Sequence, residues 1–148
     1  MDTPAATDAP HQDIFLGRQP ILDRQRNIVA YELLFRASGT AASASVSDDL
    51  SATANVILQA FAELGVENVL ANHKGFINVS ADLLLSELVE LLPRDKVVLE
   101  LLETIAITPA IVRRCQELKA KGFALALDDF IFDDVYRPLF SLVDVVKI

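Results

Sequence analysis

Cysteine and histidine are nearly absent: the chain has one cysteine, Cys115, and two histidines. A lone cysteine excludes an intrachain disulfide and fits a reducing compartment. It falls at core spacing on an expected helix, and so reads as a small buried hydrophobe, not a catalytic thiol. So few soft ligands also argue against a zinc centre, which is built from His and Cys. No apolar run approaches the ~20 residues needed to cross a bilayer. Residues 1–13 have no basic start, apolar core or cleavage pattern, so no signal peptide is expected. Basic residues are in deficit, giving a formal net charge of −8, which argues against binding a nucleic-acid polymer. An acidic domain can still take a phosphate ligand if a metal ion supplies the positive charge. The Gly-rich phosphate loop of a doubly wound dinucleotide fold is missing as well.

What is present is a recurring motif. Four polar residues, Glu32, Asn78, Glu100 and Asp128, interrupt or close short apolar runs of strand-like sequence. Period-2 alternation puts Ala30 with Glu32, Phe76 with Asn78, Val98 with Glu100, and Ala126 with Asp128 on common faces. Helical sequence separates most of these runs, which predicts neighbouring parallel strands with oxygen ligands gathered at one rim. Such donors, with Asp129 beside Asp128, suit Mg²⁺, Mn²⁺ or Ca²⁺. Two ions about 4 Å apart would activate water for an in-line phosphodiester displacement. Asp82 and Glu103 read as solvated or helix-capping acids.

Residues 1–13, rich in Ala, Pro, Asp and Thr, read as a disordered tail, and residues 14–148 as one folded part. Strands are expected at 14–22 and 28–35 around a polar turn, with a flexible Ala/Ser/Thr/Gly loop over 37–47. Ser47 is placed to cap a helix that Gly65 ends. Strand 75–80, a Leu-rich helix over 81–92 stopped by Pro93, and strand 96–102 follow. Thr108-Pro109 opens a helix through Lys121. Gly122 closes it before strands at 123–127 and 143–148, while the mixed sequence 133–142 points to neither helix nor strand. Strands apolar on both faces and alternating with helices indicate an α/β parallel sheet. The arrangement expected is a partial (β/α)8 TIM-type barrel, truncated after about the sixth strand, since a whole barrel takes ~250 residues.

Six segments carry a resemblance to a known family. They are Arg18-Gln19-Pro20-Ile21, Tyr31-Glu32-Leu33-Leu34-Phe35-Arg36, Phe76-Ile77-Asn78-Val79-Ser80, Leu99-Glu100-Leu101-Leu102-Glu103, Ala126-Leu127-Asp128-Asp129-Phe130 and Val146-Lys147-Ile148. In this order the chain resembles the N-terminal part of the EAL domains of cyclic-di-GMP phosphodiesterases. Its opening segments are most similar to the subgroup in which an EAL-like domain precedes an HDOD domain.

The resemblance implies that Glu32, Asn78, Glu100 and Asp128 are metal ligands for Mg²⁺ or Mn²⁺, with Asp129 serving a second ion. It implies that Gln19 and Arg36 contact the dinucleotide and that Lys147 lies near the attacking water. A planar guanidinium such as Arg36 can grip a pair of phosphate oxygens. Implied partners are cyclic-di-GMP and a C-terminal HDOD domain or other protein, in a cytoplasmic bacterial signalling setting.

Departures from the family pattern point the other way. Its Glu-Ala-Leu reads Glu32-Leu33-Leu34, which is expected to set a larger side chain beside the first metal position. The small Gly- and Ser-rich loop after the Asp pair is replaced by Ile131-Phe132-Asp133-Asp134-Val135-Tyr136-Arg137-Pro138, where glycine conformations are disfavoured. The later strands bearing the family's general-base Glu lie past Ile148. The expected function is thus a degenerate EAL-type domain used as a binding or regulatory module. The rivals are an active cyclic-di-GMP phosphodiesterase when the full barrel is present, and a partial product whose exposed sheet edge drives homo-oligomerisation.

Overall fold

The computed structural model describes residues 14–37, 46–128 and 133–147. Strand β1 (Ile14–Leu22) and strand β2 (Ile28–Ala37) form an antiparallel hairpin. In the turn between them, Asp23 accepts backbone hydrogen bonds from Gln25 and Asn27, the local bonding that makes Asp a turn residue. Four further strands then add in sequence order and in parallel: β3 (Lys74–Val79), β4 (Val97–Leu101), β5 (Ala124–Leu127) and β6 (Val145–Val146). Helices intervene as the alternation predicted, namely α1 (Val46–Leu64), α2 (Val66–Leu70), α3 (Ala81–Leu85) and α4 (Pro109–Ala120). Single 3₁₀ segments occupy Glu87–Leu91 and Asp134–Leu139. A six-stranded sheet with helices laid over one face is the architecture of a partial TIM-type barrel.

Three local expectations need correction. Helix α1 starts at Val46, so Ser47 stands inside its first turn and not at its N-cap. The region 81–92 is not one helix. Ser86 turns extended (φ −80°, ψ 149°), and its hydroxyl accepts from the Leu88 amide to start a new 3₁₀ turn. A serine can compete in this way with helix continuation, a signal hidden within a Leu-rich run. Lastly, β6 covers only Val145–Val146, because the Val143 amide still bonds back to Leu139. Thr108 caps α4 as expected, and Gly122 closes it at φ 96°.

The two faces of the sheet bury different things. Leu33, Ile77, Leu99, Leu101, Leu125 and Leu127 meet the helices in the main core, together with Cys115. Burial pushes the Cys115 thiol up to about 11, consistent with a packing role. The opposite face gathers a smaller cluster, Ala30, Phe76, Val98 and Ala126, with Ile21 and Ala124 beside it. These are the residues that share faces with the four polar positions.

Leu33 therefore lies on the helix side, 2% exposed, and does not crowd Glu32. Its bulk is accommodated by the next strand: a Cβ on Gly75 would sit 2.7 Å from Leu33 Cδ1 and 2.9 Å from Leu70 Cδ2. Gly75→Ala is expected to cost about 1–3 kcal/mol by overpacking. Its cost in a Leu33→Ala background should be clearly smaller, because the nearest obstructing methyl is gone. A urea-denaturation double-mutant cycle checks this, and additive costs would mean that the two side chains do not share the space.

Candidate functional site

Strand register decides how the polar residues meet. Asn78 on β3 is level with Glu100 on β4. Glu32 on β2 is level with Phe76, one same-face step below Asn78, and across the hairpin it faces Gln19. Asp128 follows β5 directly, and its amide donates to Leu101 O at 3.3 Å. The Lys147 amide donates to Leu127 O at 2.9 Å, which fixes the backbone from which its side chain starts. A stagger of this sort is what strand tilt in a barrel produces.

The side chains converge on the Lys147 ammonium. Its Nζ lies 2.6 Å from Glu100 Oε1, 3.2 Å from Glu32 Oε2 and 3.5 Å from Asp128 Oδ1. Asn78 Nδ2 donates to the other Glu32 oxygen, Oε1, at 3.1 Å. Glu100 is fully buried, while Glu32, Asp128 and Lys147 are only partly exposed. Burial raises the pKa of Glu100; Lys147 opposes the shift, and the Asp128 and Glu32 charges reinforce it. For Lys147 burial acts downward, but Glu100 and Glu32 prevail and hold the ammonium firmly protonated.

Among the described residues, no three His, Cys, Asp or Glu side chains close on one point as metal ligands. The carboxylates are gathered on the ammonium instead. Two features still fit a hard cation. Asn78 Oδ1 and Glu100 Oε2 are buried with no hydrogen-bond partner, whereas Glu100 Oε1 is engaged by the Lys147 ammonium. Three carboxylates around one ammonium also leave up to two negative charges uncompensated when all three are ionised. A divalent ion beside Lys147 would complement both, and oxygen is the donor type that Mg²⁺ or Mn²⁺ takes.

Of the residues singled out in the sequence, Glu32, Asn78, Glu100, Asp128 and Lys147 come together, and Gln19 lies alongside on the same face. The backbone of Arg36 extends the same face in β2, opposite Phe15, but its side chain lies outside the described residues, as does Asp129. Sequence reasoning passed over Phe15, Gly17 and Leu34, which continue this face past Gln19 and Glu32. The signal was the same period-2 alternation carried one step further. Asp82 and Glu103 are exposed and stand apart from the cluster.

No protein-family model matches the chain. It is 38% identical over 140 residues to the uncharacterized protein YuxH of Bacillus subtilis, covering 91% of this chain and 34% of that protein. It is 37% identical over 134 residues to the cyclic di-GMP phosphodiesterase CdgJ of Vibrio cholerae, covering 90% of this chain and 31% of that protein. The chain thus spans about a third of the length of the curated relatives it matches. The crystal structure of Bacillus subtilis YkuI, a protein with an EAL domain in complex with c-di-GMP and calcium, superposes with a TM-score of 0.66. There the identity is 20%, with 92% of this chain and 41% of that chain covered. No helix among the described residues is long and apolar enough to cross a membrane.

Proposed function

We propose, on the premise that the chain is the N-terminal part of an EAL-type domain, that it acts in cyclic-di-GMP signalling as a metal- and dinucleotide-binding regulatory module. The observation that carries this reading is the convergence of Glu32, Glu100 and Asp128 on Lys147, with the unpartnered Asn78 Oδ1 and Glu100 Oε2 beside them. Glu32, Asn78, Glu100 and Asp128 hold Mg²⁺ or Mn²⁺, with Asp129 as the ligand of a second ion. A bound divalent ion supplies positive charge for a phosphate oxygen and acidity for a coordinated water. Gln19, level with Glu32, and Arg36, further along the same strand face, contact the dinucleotide. Lys147 orients the water and meanwhile neutralises part of the carboxylate charge.

An ammonium already paired to the three carboxylates competes with a divalent ion for them, which lowers occupancy by a catalytic ion and counts against turnover. The bulky sequence after Asp129 supports the same conclusion. The lone buried Cys115 agrees with a reducing, cytoplasmic setting. The regulated partner in this reading is a C-terminal HDOD domain, another protein or a second copy of the chain.

A second reading is an active phosphodiesterase once the barrel is complete. Two observations favour it: the phosphodiesterase among the relatives at 37% identity, and the position of Leu33 away from Glu32. One experiment separates the two. The protein is incubated with cyclic-di-GMP and Mg²⁺ or Mn²⁺, with linear dinucleotide followed by chromatography and binding by calorimetry. The expected result is saturable, metal-dependent heat without linear product. Turnover that disappears in Glu32→Ala would replace the module by the enzyme, and absence of both heat and product would reject both readings.

A further inference from the structure

The outer side of α4 carries a stripe left open by the described residues. Ile111, Arg114, Cys115 and Leu118 are buried, while Ala110, Arg113, Glu117 and Ala120 are exposed. The exposed set runs at intervals of three, four and three residues, the spacing of a helix–helix seam. Beside it lies an open groove of about 470 Å³, with Leu85 and Glu87 on the side away from α4. Leu85 is 48% exposed. Arg113 forms no side-chain hydrogen bond or ion pair among the described residues. The side chain of Glu117 is 59% exposed and meets Arg114 through Oε2 at 3.1 Å.

Charge singles out the occupant. Glu87, Glu90 and Glu117 balance Arg113, Arg114 and Lys121 around the groove, so this surface is neutral on a chain of net charge −8. A strongly acidic or basic partner gains nothing from such a wall. A second copy of the same helix does, provided that it runs the other way. Arg113 and Glu117 stand equally far to either side of position 115, and so do Ala110 and Ala120. A two-fold axis at that level sets Arg113 against the partner's Glu117 and Glu117 against the partner's Arg113. Each alanine then faces the other, which lets the helices close to about 8 Å.

We infer that this stripe and groove form a self-complementary surface, on which α4 of a second copy docks antiparallel through reciprocal Arg113–Glu117 pairs. The surface belongs to the helix layer and not to the sheet face that bears the carboxylate cluster. It needs neither metal nor dinucleotide, and so stands apart from the cyclic-di-GMP reading. Helix α4 has 12 residues and is about 18 Å long. One helix pair of that length falls short of the roughly 800 Å² per partner of a standard interface, so the association is reversible and concentration-dependent.

Sedimentation velocity from micromolar to millimolar concentration reads the association directly. The unmodified chain is expected to shift from monomer toward dimer across that range. Arg113→Glu and Glu117→Arg each set like charges against one another twice, and each should associate about tenfold more weakly. An equimolar mixture of the two variants should recover the parent's association, because opposite charges then meet in both places. Circular dichroism checks folding, since Glu117 also serves Arg114. A second measurement leaves the charges alone. In Ala110→Cys/Ala120→Cys the two new thiols of one chain are about 15 Å apart along α4, too far to bridge each other. Oxidation with diamide should therefore yield covalent dimers, and far fewer with either substitution alone; Cys115 is buried away from the reagent. A parent that stays monomeric throughout, or variants and mixture that associate as the parent does, overturns the inference and leaves the proposed function standing. If Glu117→Arg does not fold, the cysteine pair decides, and no excess of covalent dimer over the single substitutions overturns the inference.

Discussion

Replacing Lys147 by methionine is expected to destabilise the fold by about 2–4 kcal/mol, and millimolar Mg²⁺ or Mn²⁺ should restore much of the loss. The substitution keeps the length of the side chain and removes its charge. Glu100 then loses its closest cation, at 2.6 Å, while fully buried and near two further carboxylates. Breaking a buried ion pair from one side is costly because the remaining charge is left uncompensated, typically by about 3–5 kcal/mol. The partial exposure of Lys147 places this case toward the lower end. A divalent ion binding among the same oxygens would stabilise the folded state by mass action, and the vacated centre should make that gain larger in the variant than in the parent. Urea denaturation of both proteins, with and without the ion, measures the difference. A loss below about 0.5 kcal/mol, or equal metal response in both, would mean that Lys147 is an ordinary surface charge.

The direction of the pH response follows from the same cluster. The folded-state pKa of Glu100 lies above its ordinary value of 4.5, chiefly because of burial. The folded protein therefore holds this proton at pH values where the unfolded chain has released it. Stability from this group increases as pH falls toward 4.5 and decreases as pH rises above it. Lys147 acts at the other end: its folded pKa is raised above 10.5, so its contribution is complete below that value and is lost only in strong alkali.

The residues of the carboxylate–lysine cluster were more legible in the sequence than their mutual geometry. Glu32, Asn78, Glu100 and Asp128 were legible because each ends an apolar strand run, and period 2 assigns each a face without reference to any other element. That Glu32 is level with Phe76 and not Asn78 was not legible, since stagger depends on how strands tilt against one another. Leu33 shows the difference sharply. Its place next to Glu32 in the chain implied crowding, yet alternation sends it to the opposite face, where Gly75 on the neighbouring strand makes room. The compensating residue is 42 positions away, and local pattern cannot pair them. The loss of helix at Ser86 was missed for a related reason, because what holds the broken segment in place comes from α4.

That holding residue is Arg114, and its replacement by alanine is expected to cost about 3 kcal/mol. Helix α3 has only five residues, so few of its carbonyls find partners within it. Arg114 supplies them from α4: Nε donates to Leu84 O at 2.8 Å and one terminal nitrogen to Ser86 O at 2.9 Å. The other terminal nitrogen reaches Glu90 at 2.8 Å and Glu117 at 3.1 Å. Without the guanidinium, two carbonyl oxygens lose their partners at a cost of about 1–3 kcal/mol each where water cannot replace them. Arg114→Lys should recover less than half of the loss, because a point charge cannot serve four acceptors spread over a planar fork. Urea denaturation of both variants checks this, and a loss under 1 kcal/mol in Arg114→Ala would show that water satisfies the carbonyls. The consequence should extend to the site. Ser80 caps α3 only two residues after Asn78, and the Asn78 amide fixes the Glu32 carboxylate. A loosened α3 then weakens the support of Asn78, so under the proposed function Arg114→Ala should also reduce the stabilisation gained from Mg²⁺ or Mn²⁺, although Arg114 is bonded to none of the four proposed ligands.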